Sequence, residues 1–353
     1  MLYSTLGRTG LIVSRLSLGT MTFADANASA VAKTSFADAD AMVGRAIDAG
    51  INFFDTADVY AAGESETMFG KLIGDRRKDV VIATKAGWRM GAPLNNAGLS
   101  ARHLFASIDA SLTRLGTDHV DVYIAHRNDE TTPLEETLAA LDAIVRAGKA
   151  RYLGVSNWPA WKVAAALELQ RANGWAPFTH VQMMYSLLGR GIEQEVMPMM
   201  ARYGLGLTAW SPLAGGFLSG KYTRDNLKDS ENRLSGFDFI PFDKEQGFAL
   251  VETIRAIGAA HAASVAQVAL AWVLSKPAVS SVIIGASRMS QLEDNLAAAT
   301  LALTAEELEQ LDAATAPEPQ YPAWVARIAD QPVAKALTAR PGDTHDQEAK
   351  TRQ

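Results

Sequence analysis

Short runs of β-branched and aromatic residues alternate with amphipathic stretches along most of this chain, and that alternation restricts the fold more than any other feature. The runs expected as strands are Arg15–Leu18, Asn52–Asp55, Val80–Thr84, Val120–Ala125, Tyr152–Val155, His180–Gln182, Gly206–Trp210 and Val282–Ile284. The second to seventh end near 55, 85, 126, 155, 182 and 210, a spacing of about 25 to 40 residues. That is the length of one strand, one helix and two loops. Eight such units with continuously apolar strands suggest a closed parallel barrel, whereas six or seven would suit a doubly wound sheet equally well. The eighth depends on spanning the gap from Trp210 to Val282, so periodicity alone favours the barrel only modestly.

That gap holds a glycine-rich loop, a polar stretch through Pro241, and two expected helices, Lys244–His261 and Ser264–Ser275, the second with Ser264 as its cap. At the start, Leu2–Ser14 carries Gly7 and Gly10 between apolar pieces and suits a hairpin closing the barrel floor. Thr304, with Glu307 three residues later, forms a capping box, after which the pattern fades. The expected organisation is one α/β barrel domain over 1–316 and an extension over 317–353, of which Pro341–Gln353 is polar and expected to be disordered.

Composition narrows the chemistry. With 353 residues and 48% hydrophobic content the chain can bury a large core. A net charge of −6 and a pI near 5.6 argue against nucleic acid or an anionic membrane as partner. There is no cysteine, which excludes disulfides, thiol nucleophiles and thiolate metal sites. Met1 to Gly10 shows no signal-peptide pattern, and the longest strongly apolar stretch, Val265 to Leu274, is about half a membrane span. A soluble cytoplasmic protein is the expectation. His103, His119, His180, His261 and His345 stand singly without ligand spacing, so no metal is expected.

In a parallel barrel, reactive groups gather at the C-terminal ends of the strands. Those ends carry Asp55, Lys85 and His126, with Tyr60 in the loop after Asp55. Singly, each has a structural explanation: a helix cap, a solvated ammonium, a packed core histidine, a loop aromatic. Together their chemistry is coherent. A phenol with pKa near 10 holds its proton too tightly for efficient delivery at neutral pH. An adjacent Lys85 ammonium would favour the phenolate, Asp55 would hold Lys85 by ion pairing, and His126 would donate to a substrate oxygen. The set suits a carbonyl taking up hydride. A barrel aldolase with Lys85 as Schiff-base nucleophile is an alternative, but it needs a desolvated, unpaired amine.

The segment Gly50 to Tyr60, continuing through Glu64, closely resembles the Asp–Tyr signature of aldo-keto reductases; Thr84-Lys85 and His126 to Asp129 match that family's lysine and histidine segments. The resemblance runs from about Leu6 to Leu296 and implies a (β/α)8 barrel with a long loop after its seventh strand. It also implies an NADP(H)-dependent reductase of small aldehydes or ketones, with Asp55, Tyr60, Lys85 and His126 as catalytic tetrad. By the same resemblance, Ser156, Asn157 and Gln182 hold the carboxamide of nicotinamide, with Asp55 close by. Tyr185 is similar to the aromatic on which that ring stacks, and Thr20 and Met21 match further cofactor contacts. Trp210, Ser211, Pro212, Leu213, Ala214, Gly215 and Lys221 resemble the pyrophosphate segment, with Arg233 as a further clasp. Gly285, Ser287, Arg288, Gln291, Asp294 and Asn295 resemble the part holding the adenosine end. There Arg288 would pair with a 2′-phosphate, hence NADPH over NADH.

Phe23, Trp88 and Phe237 are candidate walls of a substrate pocket, which would suit a bulky or ring-bearing carbonyl. The substrate itself and the oligomeric state are not legible. Gly215 to Lys221 satisfies most of a phosphate-binding-loop pattern, but Tyr222 stands where a hydroxyl for magnesium is needed. The Asp55–Gly63 segment most resembles the branch that includes potassium-channel β subunits. A regulatory or interaction subunit is therefore the second functional reading, against which His126 favours catalysis.

Overall fold

A computed structural model describes residues 1–24, 34–227, 234 and 238–326. Eight parallel strands close into a barrel: β3 (Leu16–Gly19), β4 (Phe53–Asp55), β5 (Val81–Ala86), β6 (Val120–Ala125), β7 (Ala150–Ser156), β8 (Phe178–Met184), β9 (Gly206–Trp210) and β10 (Val279–Ile284), with β10 paired back onto β3. Every expected strand is present within a few residues, and the eighth spans the long gap. The closed barrel, not the doubly wound sheet, is the fold.

The helices between the strands are α1 (Phe36–Asp48), α2 (Glu64–Ile73), α3 (Ala101–Leu115), α4 (Leu134–Arg146), α5 (Ala160–Asn173) and α6 (Val196–Tyr203). They are followed by α7 (Lys244–Ala260) and α8 (Val265–Leu274) before β10, then α9 (Met289–Ala297) and α10 (Ala305–Ala314). Their starts follow local chemistry. Ser35, Ser100, Asp243, Ser264 and Thr304 each accept a backbone N–H from the first turn, and Thr304 and Glu307 complete the capping box. Each such cap stabilises its helix by about 1 kcal/mol.

Alternation along the strands sorts side chains between bore and shell. Phe53, Val81, Ala83, Val122 and Ile124 form a cluster with Leu6 and Val13 of the N-terminal hairpin, whereas Phe54, Ile82, Tyr123 and Leu153 join the larger core beneath the helices. The hairpin, β1 (Tyr3–Thr5) and β2 (Ile12–Ser14), closes the floor. Its turn passes so near β8 and β9 that a Cβ at Gly7, φ +60°, would lie 2.2 Å from the Thr179 carbonyl oxygen. Only glycine fits there. The same alternation, carried two residues further, turns Asp55, Lys85 and His126 inward at the opposite, C-terminal rim.

Compactness divides the chain into two units, Met1–Ala316 and Pro317–Gln353. Within the second, the described residues include a short helical turn, Ala323–Ala326, where the Tyr321 and Trp324 rings stand 6.3 Å apart. The stretch Pro341–Gln353 lies outside the described residues. Among the described residues no single helix is long and apolar enough to cross a membrane.

Candidate active site

Three strand ends and one loop bring the four sequence-selected residues together. Lys85 is fully buried, and its Nζ donates to Asp55 Oδ1 at 2.6 Å, to the Thr56 carbonyl at 2.7 Å and to the Tyr60 hydroxyl oxygen at 3.0 Å. All three ammonium donors are occupied, so no free amine remains for Schiff-base chemistry. Because the lysine donates into the phenolic oxygen, the Tyr60 O–H is left to point elsewhere. Asp55 uses its second oxygen to accept from Gln182 Nε2 at 2.7 Å. Tyr60 enters the site through a tight turn in which Ala61 and Ala62 adopt φ of 47° and 53°, a left-handed pair that aims the ring inward over β5.

The electrostatics correct one expectation. Burial is the largest influence on Tyr60 and pushes its phenol above the usual value; the Lys85 charge opposes this, while Asp55 adds to it, and the net direction is upward. The lysine therefore offsets part of the desolvation and does not make a free-standing strong acid. For Lys85, burial is again the largest influence and would pull the amine down, but Asp55 and Tyr60 outweigh it and the proton is held more tightly than usual.

His126 stands edge-on to Tyr60, ring centroids 6.0 Å apart, and edge-on to Trp88 at 6.2 Å. Burial, then the Lys85 charge, holds its imidazole well below the ordinary range, so it is neutral at neutral pH. Its Nδ1 is buried without a partner. Trp88 is 44% exposed with the Arg127 guanidinium over its ring at 5.1 Å, which puts this expected wall residue at the mouth beside His126.

The expected cofactor residues divide. Ser156 and Gln182 are register partners at the rim of β7 and β8. Asn157, in the left-handed region at φ 59°, donates to Ser156 Oγ and the His126 carbonyl and accepts from Trp210 Nε1, thereby tying three strand ends together. Trp210 is part-exposed, and Phe239 stacks on it with centroids 6.1 Å apart. Ser211, Ala214 and Gly215 all adopt positive φ, and Ser211 Oγ accepts from the Gly215 N–H, so this segment is a tightly coiled turn over the rim with Pro212 buried and Leu213 part-exposed. Lys221 is exposed nearby in sequence, its ammonium 4.8 Å from the Tyr222 ring. Beyond β10, Gly285 and Arg288 are exposed; Ser287 donates to Gln291 Oε1, Asn295 to the Gly285 carbonyl, and Asp294 accepts from Ser264 and Gln267. Those side chains shape the loop, and Arg288 forms no salt bridge among the described residues.

Three placements depart from expectation. Tyr185 is 1% exposed, tilted against Trp272 at 5.3 Å, and donates to Glu193, so tertiary packing has taken the ring that the sequence offered for stacking. Trp210, by contrast, keeps its ring part-exposed at the rim. Phe23 is fully buried in the core beneath the helices and cannot wall a pocket. Thr20 is also fully buried, its hydroxyl paired with Ser65 at 2.8 Å; the adjacent Met21 is part-exposed. Arg233 and Phe237 lie outside the described residues. Among the described residues no cluster of three His, Asp or Glu could hold a metal ion.

Sequence reasoning passed over a second group directly behind the first. Asp58, two residues before Tyr60, is 1% exposed, and Glu66 on α2 is fully buried, accepting from Thr84 and, at 2.7 Å, from Arg114 Nε on α3. The only signal available was a further acid inside the Asp55–Tyr60 motif.

Comparison with known proteins places this geometry in context. Residues 15–316 match the model of the Aldo/keto reductase family. A probable voltage-gated potassium channel subunit beta from Oryza sativa subsp. japonica is 38% identical over 91% of this chain and 98% of its own length. The uncharacterized oxidoreductase YrpG of Bacillus subtilis (strain 168) is 38% identical over 88% of this chain and 94% of its own. The L-glyceraldehyde 3-phosphate reductase of Escherichia coli (strain K12) is 35% identical over 88% and 92%.

Proposed function

The chain belongs to the Aldo/keto reductase family, and from that premise we propose that it is a cytoplasmic NADPH-dependent reductase of a small aldehyde or ketone, with Tyr60 as proton donor. Membership and the reductase relatives support an oxidoreductase acting on carbonyls, and the family generally uses nicotinamide cofactors. The observation that carries the finer reading is the 3.0 Å contact from Lys85 Nζ to the Tyr60 oxygen, with the same amine fixed by Asp55.

The donor set suits such a cofactor. Ser156 and Gln182, nearly buried at the rim ends of β7 and β8, offer a hydroxyl and an amide oxygen for a carboxamide, the coiled Ser211–Gly215 turn offers backbone, and Arg288 offers a planar fork for a 2′-phosphate dianion. Held by these groups, a dihydronicotinamide would supply the hydride that reduces the carbonyl carbon. The substrate oxygen lies between the Tyr60 hydroxyl and the neutral His126, whose N–H steadies the negative charge developing there. Tyr60 gives its proton to that oxygen as charge builds, leaving a phenolate that Lys85 stabilises, and solvent returns the proton afterwards. The lysine's benefit thus appears mainly as the phenolate forms, where stabilisation accelerates the step. Tyr60→Phe should lower kcat by roughly 10²- to 10⁴-fold while leaving NADPH fluorescence titration unchanged. Unchanged turnover of every accepted carbonyl would refute the reading.

A second reading has its own support. Similarity to probable potassium channel β subunits favours a nicotinamide-binding barrel that serves as an interaction subunit. Co-purification with a membrane protein, together with no NADPH oxidation across a broad carbonyl panel, would select it.

A further inference from the structure

Behind the Lys85–Tyr60 pair sits a buried cluster whose charges do not balance. Three carboxyls (Asp55, Asp58 and Glu66) face two cations (Lys85 and Arg114). Two of the carboxyls have both oxygens engaged: Asp55 accepts from Lys85 and Gln182, and Glu66 accepts from Thr84 and Arg114. Asp58 is the remainder. It is 1% exposed, and neither carboxyl oxygen has a hydrogen-bond partner. The Val59 N–H approaches it only outside hydrogen-bonding geometry. Its backbone is fixed to the site all the same, since its N–H donates to the Lys85 carbonyl at 3.1 Å.

An ionised carboxylate without donors is the most costly species such a pocket can hold, whereas the neutral acid removes the net charge of the cluster. We propose that Asp58 is a positioning residue for proton donation: its carboxyl holds the exchangeable proton of this cluster, and giving that proton up tightens Tyr60's hold on its own. The proposal rests on the reading of Tyr60 as donor.

The groups bearing on Asp58 come from every side: Glu66 on α2, Arg114 on α3, Lys85 on β5, Tyr123 on β6 and Tyr60 in its own loop. Burial, then the negative charge of Glu66, pushes Asp58 up to about 7, with Arg114 and Lys85 opposing. Its ionised form in turn raises Tyr60. Protonated Asp58 therefore leaves Tyr60 the better acid, and reduction slows as the pH rises through neutrality.

Two measurements test this. Infrared spectra of the wild-type protein carrying isotope-labelled aspartate should show a label-shifted protonated-carboxyl band at about pH 5.5 that is lost by about pH 8.5 and is missing in Asp58→Asn. Single-turnover reduction in the wild type should fall several-fold from about pH 6 to about pH 8, and the Asn variant should keep its low-pH rate across that range. Absence of the band at the lower pH, or an Asn variant whose rate falls as the wild type's does, overturns the proposal. The infrared titration of the wild type decides the protonation even if the variant does not fold. Full turnover in Tyr60→Phe would sink the donor reading and the catalytic half of this proposal with it. A wild-type pH profile in Asp58→Asn, with Tyr60→Phe inactive, sinks the role of Asp58 alone.

Discussion

Gln182 on β8 reaches across the bore to Asp55 on β4 with a 2.7 Å hydrogen bond, so the carboxylate that anchors Lys85 is itself held from the far wall. Both residues are nearly fully buried. A carboxylate in that position needs its donors, because an unsatisfied buried oxygen costs about 1–3 kcal/mol and more when charged. Gln182→Leu should therefore destabilise the fold by about 2–3 kcal/mol in urea unfolding. It should also lower kcat, because Asp55 can then swing and release Lys85 from Tyr60. A variant with wild-type kcat would show that the cross-bore bond does not position the lysine.

The barrel interior predicts a pH dependence from the opposite direction. His180 on β8 is fully buried with Nε2 unpartnered, and burial holds its imidazole down at about 3. A base whose folded value lies below its unfolded value near 6.5 contributes full stability above that value and loses it as pH falls toward the folded one. Between pH 6.5 and 5 the loss should be on the order of 2 kcal/mol. His180→Leu, of similar volume and without a proton to bind, should flatten that slope in urea unfolding at the two pH values. An unchanged slope would assign the acid sensitivity to other groups.

His180 owes its place to Gly154, its register partner on β7: a Cβ there would lie 2.2 Å from the imidazole Cε1. Gly154→Ala should thus cost about 1–3 kcal/mol by forcing the ring aside. Combined with His180→Ala, which clears the space, the two losses should fall short of their sum by more than about 0.5 kcal/mol, the signature of direct contact. Strict additivity in urea unfolding would mean the glycine serves the backbone alone.

Much of this was legible in the chain. Val120–Ala125 and Gly206–Trp210 are legible at their observed bounds, because burial on both faces makes each run mostly apolar, with a single polar residue, Asp121 or Thr208, inside it. Asp55, Lys85 and His126 were legible as strand-end polar residues, and a period of two does the rest. What escaped depends on partners distant in sequence. Whether Tyr185 faces the rim or Trp272 is decided by α8, and Phe23 is claimed by the core beneath the helices. A motif displays the neighbouring charge but not the depth of burial, so the upward direction of the Tyr60 shift is not legible in it. Asp58 becomes conspicuous only when Arg114, which is 48 positions from Glu66, is seen to neutralise Glu66 and leave Asp58 without a donor.

The proposed preference for NADPH gives the last test. Arg288 lies immediately before α9, exposed, with no carboxylate salt bridge among the described residues, while Gln291 and Asp294 are occupied in bracing the loop. A guanidinium so placed is a ready partner for a phosphate dianion, and charge-assisted bonds of that kind contribute about 1.5–3 kcal/mol. Removing it should weaken NADPH by that amount, roughly 10- to 150-fold in Kd, because 1.4 kcal/mol is tenfold. NADH lacks the 2′-phosphate and should be nearly unaffected. Fluorescence titration of both nucleotides against wild type and Arg288→Ala measures the two effects separately. Equal losses for the two would remove Arg288 from phosphate recognition and make it a general contact. Tight binding of both by the variant would mean that the 2′-phosphate is read elsewhere or not at all.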